Sequence, residues 1–196
     1  GSWDKLSEGG TSVEEKHKFN RKWIKLCKNV LKPNGTIWIS GTLHNIYSIG
    51  MALEQEGFKI INNVTCQKTN PPPNLACRCF THSTETILWA QKNDKKSRHF
   101  FNYQKMKEMN GDKQMKDVWT GSLTKPSEKT EGKHPTQKPE YLLERIVLAS
   151  TEEGQVILDP FCGSGTTGVE AVRFGRKFIG IDVSEEYLEI SKRRLE

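Results

Sequence analysis

A glycine-rich loop near the end of the chain constrains the fold more than any other feature. Residues 157–168 read ILDPFCGSGTTG, an apolar run that breaks into the loop, and a second apolar run at residues 177–181 leads into Asp182. A strand, a glycine loop, a helix, a second strand and an acid form the unit that binds nucleoside cofactors in doubly wound α/β folds. Such a unit usually opens a domain, but here only 14 residues follow Asp182 in the sequence. The other strands of this sheet are therefore expected earlier in the sequence.

The residue types in the loop favour one kind of cofactor. Gly163 and Gly165 allow a sharp turn and a close approach of the backbone to a ligand, and the helix that follows points its N-terminus at that ligand. Asp182 is placed to accept hydrogen bonds from ribose hydroxyls. The glycine spacing alone fits NAD, FAD and S-adenosylmethionine. Asp159 and Phe161 precede the glycines, and a carboxylate there disfavours a pyrophosphate but favours a cationic sulfonium.

The rest of the chain alternates between helical and strand patterns. This alternation predicts one doubly wound α/β domain that carries an insert at residues 92–133. The predicted helices cover residues 13–31, 46–57, 139–150 and 166–174 and a last segment from 184. The predicted strands cover residues 36–40, 58–65, 86–90, a run that ends at 159, and 177–181.

Charge is concentrated in the insert. The chain has 196 residues and a net charge of +6, and residues 92–133 contain eleven basic and six acidic side chains. Such a segment is either a solvated loop or a surface that faces a polyanion. No apolar stretch approaches the roughly 18–20 residues that span a bilayer. An odd number of cysteines, five, without secretory features predicts reduced thiols and a cytoplasmic protein.

Two further groups of residues have more than one interpretation. Thr136 and Gln137, ahead of Pro139, either cap the helix that follows or bind a small polar ligand. A second group could supply zinc ligands but lacks the paired spacing of zinc ribbons, so we predict reduced thiols and no metal. Its members are Cys66, Cys77, Cys79 and His82.

Several blocks together resemble the beta-class amino-methyltransferases of DNA. These enzymes use S-adenosylmethionine, and their motif order is circularly permuted, with the catalytic half first and the cofactor half last. That order accounts for the late glycine loop. The resemblance covers essentially the whole chain. Its blocks are HPTQKP at 134–139, DPFxGSGTT at 159–167, GID at 180–182 with Tyr187 beyond, WISG at 38–41, NPxPN at 70–74 and TETILWA at 84–90.

The resemblance implies a Rossmann-like methyltransferase sheet in three functional segments. Residues 1–91 would be the catalytic half, residues 92–133 a target-recognition insert, and residues 134–196 the S-adenosylmethionine-binding half. The cofactor residues are then expected to be His134, Pro135, Thr136, Gln137, Lys138, Asp159, Pro160, Phe161, Gly163, Ser164, Gly165, Thr166, Thr167 and Asp182.

DNA contacts are expected on the proline-rich stretch, on the residues after it and on the insert. The proline stretch belongs to a family block near the target base, and Arg78 and Phe80 could stack on or push at a flipped nucleotide, or simply pack. Charged and aromatic side chains on the insert suit phosphate contacts and base stacking. The candidates are Asn70, Asn74, Arg78, Phe80, Lys95, Lys96, Arg98, Trp119, Ser122 and Lys125.

A closer similarity narrows the expected reaction. Residues 36–89, with 119–122, are similar to the second, permuted methylase of DpnII-type restriction systems, which methylate adenine in GATC. This implies direct methyl transfer to the N6 of a flipped adenine, without a metal or a covalent intermediate. The partners would be DNA, a cognate restriction endonuclease and a second copy in a homodimer.

The catalytic residues cannot be assigned from this sequence. The family motif, Asp/Asn/Ser-Pro-Pro-aromatic, is not at its expected place, and the run at residues 70–73 lacks the aromatic and follows the wrong strand. We expect that motif and two further strands to precede residue 1. Three alternatives stay open: a cytosine-N4 methyltransferase, a nicotinamide-dependent oxidoreductase and a non-catalytic DNA-binding subunit.

Overall fold

The computed structural model describes residues 12–94, 98–132 and 134–196. Helices and strands alternate along most of this part of the chain, with a short 3-10 helix at Pro126–Glu128. The helices are α1 Val13–Val30, α2 Ile46–Gln55, α3 Tyr103–Met109, α4 Glu140–Ser150, α5 Thr166–Arg173 and α6 Glu185–Leu195. The strands are β1 Thr36–Gly41, β2 Phe58–Lys68, β3 Thr84–Lys92, β4 Val118–Gly121, β5 Val156–Asp159 and β6 Lys177–Gly180.

The first of two compact units contains a four-stranded sheet. It comprises residues 12–68, 74–94, 98–100 and 116–120. The strand order is β1-β3-β2-β4, and β3 runs antiparallel to both β1 and β2. A parallel pair needs a long crossover, usually a helix. The connection from β2 to β3 contains no helix in the structure, and the chain instead reverses direction there.

Local sequence signals position the two helices of this unit. Ser12 and Glu15 form a reciprocal capping box at the start of α1, where the Glu15 N–H donates to Ser12 Oγ at 3.1 Å. Gly57, at φ +76°, follows the end of α2 as predicted. The apolar faces of both helices then bury a common core against the sheet, made of Ile24, Ile39, Ile46, Ile49, Ala52, Leu53, Phe58, Leu88 and Ala90.

The second unit holds the glycine loop. It comprises residues 69–73, 101–115, 121–132 and 134–196. Strands β5 and β6 are parallel, with Asp159 opposite Gly180, and α5 is the crossover between them. A Cβ on Gly168 would lie 2.5 Å from the Phe178 ring, so this glycine allows α5 to pack closely on β6.

The basic segment at 92–133 is shared between the two units. It contains α3, β4 and the 3-10 helix, all shorter than the patterns that hydrophobic periodicity detects. β4 was therefore not predicted. The functional division of the chain at residues 91 and 133 stays a prediction.

Candidate functional site

The glycine loop has the geometry that a closely approaching ligand needs. Gly163 and Gly165 have φ values of +50° and +77°, which other residues adopt only with strain. Gly165 is also the residue from which α5 begins. A Cβ on Gly165 would lie 2.2 Å from Ser191 Oγ, so no other residue fits without displacing α6.

Asp182 joins the end of β6 to the glycine loop. Its Oδ2 accepts the Gly163 N–H at 2.9 Å, and its Oδ1 accepts the Ser184 N–H at 2.9 Å. A carboxylate has about four lone-pair sites. Asp182 is partly exposed, and after these two bonds it retains acceptor capacity for a ligand hydroxyl.

Asp159 adds a second carboxylate at the same loop. It accepts the Thr167 hydroxyl at 2.6 Å and the Phe161 N–H at 3.0 Å. Burial, and to a smaller extent the charge of Asp182, raise the pKa of Asp159. Burial and then the charges of Asp159 and Asp182 also raise the pKa of the Cys162 thiol to about 11. Two carboxyl groups at one loop fit a cationic ligand and disfavour a pyrophosphate.

His134 lies directly against the glycine loop. A Cβ on Gly163 would be 2.9 Å from His134 Nε2. The His134 ring also packs edge-on against the Tyr187 ring, with centroids 4.3 Å apart. The structure thus brings together the start of the HPTQKP block, the glycine loop and the tyrosine of the last block.

The rest of the HPTQKP block is held by Glu128. The Gln137 side-chain amide donates to the Glu128 carbonyl at 2.6 Å, and Glu128 Oε2 accepts the Glu140 N–H at the start of α4 at 2.9 Å. Neither Thr136 nor Gln137 caps α4; its N-cap, Pro139, has no capping side-chain bond. Thr136 is exposed, and its hydroxyl lies 3.4 Å from His134 Nδ1.

Arg194 contacts the loop and was not anticipated from the sequence. Its Nη1 donates to the Ser164 carbonyl at 2.9 Å and to the Thr166 hydroxyl at 3.0 Å, and its Nη2 lies 3.1 Å from Glu140 Oε1. Only 7% of its side chain is exposed. In the sequence it belongs to the charged run KRRLE, which is typical of a solvated helix end, so only the packing reveals it.

Most of the described DNA-contact candidates are at the surface. Phe80 is 95% exposed, and Asn70, Arg78, Arg98 and Lys125 are exposed as well, whereas Asn74 and Ser122 are half-buried. Asn70 Oδ1 accepts the Leu123 N–H at 3.0 Å, and the Asn74 side-chain amide donates to the Cys79 carbonyl at 2.7 Å. Lys95 and Lys96 lie outside the described residues.

Trp119 is buried, whereas a side chain that reads a base has to be exposed. Its side chain is 6% exposed, its ring centroid lies 6.2 Å from that of Trp38, and its Nε1 donates to the Lys116 carbonyl at 2.9 Å. The indole therefore packs in the first unit.

The cysteines do not gather into a metal site in the described part of the chain. Cys66 is buried in β2, whereas Cys77 and Cys79 are exposed in the loop beyond it. Among the described residues, no three His, Cys, Asp or Glu side chains come together as ligands. Nor does any described helix combine the length and apolar character that crossing a membrane requires.

A comparison with protein families gives the class of protein. The model of the DNA methylase family matches residues 3–193. The chain belongs to this family, and the resemblance seen in its motif blocks is confirmed. It is an S-adenosylmethionine-dependent DNA methyltransferase with a Rossmann-like fold, and the nicotinamide-dependent alternative is wrong.

Curated relatives match the chain along its full length. It is 75% identical over 196 residues to type II methyltransferase M2.DpnII of Streptococcus pneumoniae, and spans 72% of that protein. It is 75% identical over 195 residues to type II methyltransferase M2.LlaDCHI of Lactococcus lactis subsp. cremoris, and spans 71% of it. The similarity to the second methylase of DpnII-type systems is thereby confirmed.

Solved structures support the same fold. The M1.HpyAVI–SAM complex has a TM-score of 0.78 and 32% identity, over 94% of this chain and 85% of that one. PvuII DNA methyltransferase, which is described as cytosine-N4-specific, also has a TM-score of 0.78, over 96% of this chain and 74% of that one. At 20% identity, the second likeness concerns the fold alone.

Proposed function

We propose that the protein methylates the N6 of adenine in GATC, as the methyltransferase of a type II restriction–modification system. The observation that carries this proposal is the 75% identity, over the whole chain, to the type II methyltransferase M2.DpnII. The resemblance of residues 36–89 and 119–122 to methylases that act on GATC supports adenine as the target base and GATC as the target sequence. The cytosine-N4 alternative shares the fold, and nucleoside analysis distinguishes it.

The donor site would be built from the glycine loop and the HPTQKP block. S-adenosylmethionine supplies the activated methyl group. Asp182, with acceptor capacity left, would bind the ribose hydroxyls, and the two carboxyl groups of Asp159 and Asp182 would favour the cationic sulfonium. The segment from His134 to Lys138, whose first ring lies against Gly163, would contact the methionine part.

The acceptor side would be built from exposed residues. Phe80 and Arg78 are placed on an exposed loop where they could stack on a flipped nucleotide or on its neighbours. Arg98 and Lys125 would contact phosphates. In the transfer itself the S–CH3 bond breaks, the N–CH3 bond forms and the amine releases one proton. Positioning is then the main contribution of the protein to the rate.

Tritiated S-adenosylmethionine tests the reaction. The protein is incubated with a duplex that contains GATC, and with a matched duplex in which the four bases are scrambled. We expect label in N6-methyladenine, and only with the GATC duplex. Label in N4-methylcytosine, or equal label in both duplexes, would contradict the proposal.

The Asp182→Ala variant tests the donor site by calorimetry. Losing the bond to the Gly163 N–H and the ribose acceptor should weaken S-adenosylmethionine binding at least 10-fold. Asp117→Ala, an exposed acid in the first unit, is the control and should bind normally. Unchanged affinity in Asp182→Ala would remove the ribose assignment.

The wider biological setting is part of the same proposal. Type II relatives support a cognate restriction endonuclease that acts on the same site. Five cysteines without secretory features support a cytoplasmic location. We further propose a homodimer, which light scattering on the purified protein tests directly: a monomer mass at micromolar concentration would contradict it.

A further inference from the structure

We propose that Arg194, together with Glu140, is a positioning pair for the methyl-donor loop. The inference rests on the proposed placement of S-adenosylmethionine at residues 159–167. Arg194 lies on the last helix, and Glu140 lies at the start of α4. Their side chains tie these two helices to the loop through the Ser164 carbonyl and the Thr166 hydroxyl.

The loop needs this support because the start of α5 has no capping side chain. α5 begins at Gly165, and a glycine N-cap has no side chain to accept the first N–H groups of the helix. The backbone on both sides of Ser164 is left-handed, at Gly163 and Gly165. Arg194 donates a hydrogen bond to the Ser164 carbonyl and, together with the bond from the Gly165 N–H to the Cys162 carbonyl, fixes the orientation of the peptide between these two glycines.

The planar guanidinium suits this task better than any other side chain. Nη1 reaches both the carbonyl and the Thr166 hydroxyl, while Nη2 reaches Glu140 at 3.1 Å. A lysine ammonium is a point charge with rotatable donors and does not hold three acceptors in one plane. We therefore expect a lysine at this position to preserve the charge pair but to hold the loop less firmly.

Glu140 has a separate electrostatic effect. The guanidinium is nearly buried, with 7% of the side chain exposed, and it lies beside a site proposed for a cationic donor. The Glu140 carboxylate compensates the positive charge of Arg194. Without it, an uncompensated cation would disfavour S-adenosylmethionine more than S-adenosylhomocysteine, which lacks the sulfonium charge.

Arg194→Met tests the clamp, because methionine keeps the apolar stem but has no donors. Calorimetry should show about 10-fold weaker binding of S-adenosylhomocysteine, equal to a loss of about 1.4 kcal/mol, and a smaller loss for the cationic S-adenosylmethionine. Arg194→Lys should be intermediate, at about threefold. Arg193→Met is the matched control. Arg193 is half-exposed and contacts Glu131 rather than the loop, so this variant should bind within twofold of the original.

The ratio of the affinities for S-adenosylmethionine and S-adenosylhomocysteine distinguishes a positioning role from a general loss of structure. Glu140→Gln should lower the preference for S-adenosylmethionine over S-adenosylhomocysteine, and Arg194→Met, which leaves the Glu140 charge uncompensated, should raise it. A general loss of packing would shift both variants in the same direction. The proposal would be overturned if this preference shifted in the same direction in Glu140→Gln and Arg194→Met. It would also be overturned if Arg194→Met and Arg193→Met bound S-adenosylmethionine with equal affinity.

Two outcomes distinguish a wrong positioning pair from a wrongly placed donor site. If Asp182→Ala weakens binding and the Arg194 variants do not, only the positioning pair is wrong. If Asp182→Ala also binds normally, the donor site has been placed wrongly. Should Arg194→Met fail to fold, as judged by thermal melting, Arg194→Lys decides: affinity equal to that of the original protein overturns the inference.

Discussion

Two loops in this protein are built in opposite ways. Residues 162–166, in the glycine loop, are all buried, and residues 75–82, after the proline stretch, are all exposed. The buried loop is held by Asp182, Arg194 and the Gly165–Cys162 backbone bond. Within the exposed loop, Phe80 and Leu75 are 95% and 90% exposed. The glycine loop is therefore preorganised by the protein itself, whereas the exposed loop leaves its apolar side chains accessible to the DNA proposed above.

This contrast suggests a division of roles between the loops. Changes in the glycine loop should affect both stability and donor binding, because the same contacts serve both. Changes in the exposed loop should affect DNA binding alone. The three predictions below test this division, beginning with the largest expected effect.

Gly165→Ala should break the donor loop. Alanine would be strained at φ +77°, which costs about 1–2 kcal/mol. Its Cβ would also clash with Ser191 at 2.2 Å, and overpacking adds about 1–3 kcal/mol. We expect a loss of about 4 kcal/mol in the free energy of unfolding and no measurable binding of S-adenosylmethionine.

Gly154→Ala is the matched control for this prediction. Gly154 has nearly the same φ, +78°, but a Cβ there meets nothing within 4 Å. Urea unfolding should show only the strain of about 1–2 kcal/mol, with normal donor binding. Equal losses in the two variants would mean that packing against Ser191 does not stabilise the loop.

Glu170 in α5 is an exception in the donor region, as is the Gln137 side-chain oxygen in the HPTQKP block. Glu170 is 0% exposed, and neither of its carboxylate oxygens has a hydrogen-bond partner among the residues that the structure describes. Arg173 Nη1 lies 3.6 Å away. Burial raises the pKa of Glu170 to about 7, against the opposing effect of Arg173.

Glu170→Gln should therefore stabilise the protein above neutral pH. Because the pKa of Glu170 is raised, the folded state holds its proton more tightly than the unfolded state does. Protonated Glu170 therefore contributes its full stabilisation below pH 4.5, and this contribution is lost as the pH rises to about 7. The loss amounts to about 3 kcal/mol. Glutamine has no proton to lose, so its unfolding free energy should exceed that of the original protein by about this amount at pH 8.

Urea unfolding of both proteins between pH 5 and pH 8 measures this difference. The gap between the two curves should open as the pH rises and become constant above pH 7. Glu186→Gln, an exposed acid in the first turn of α6, is the control and should leave the pH dependence unchanged. A constant gap across the whole range would contradict the raised pKa.

The sequence predicts the donor half of the protein better than the other half. The glycine loop, Asp182 and the HPTQKP block could be identified because each needs particular residue types at short spacings. Helices α1, α2 and α4 could be identified because their apolar residues fall at helical spacing. These features depend on neighbours within a few residues along the chain.

Features that depend on distant contacts were missed. β4 has only four residues, and its place beside β2 is set by pairing with a strand about fifty positions earlier. Trp119 has the residue type of a DNA contact, but packing decides that it is buried. The role of Arg194 depends on residues 28 to 54 positions away, which no local pattern encodes.

Phe80→Ala tests the exposed loop and should have the smallest effect. An aromatic ring that stacks on a base contributes roughly 1–3 kcal/mol, so we expect about 10-fold weaker binding of a GATC duplex, close to 1.4 kcal/mol. Because the ring is 95% exposed, the unfolding free energy and the affinity for S-adenosylmethionine should not change. Fluorescence anisotropy with labelled DNA measures the first quantity, and calorimetry measures the donor affinity.

Two further variants separate stacking from general apolar contact. Leu75→Ala removes a neighbouring side chain that is 90% exposed but has no ring, and it should weaken DNA binding less than Phe80→Ala. Phe80→Trp keeps a stacking surface and should restore the affinity. Equal losses in Phe80→Ala and Leu75→Ala, with no restoration by tryptophan, would mean that the loop contributes apolar surface rather than a stacking ring. A loss of stability in Phe80→Ala would mean that the exposed loop, like the glycine loop, also supports the fold.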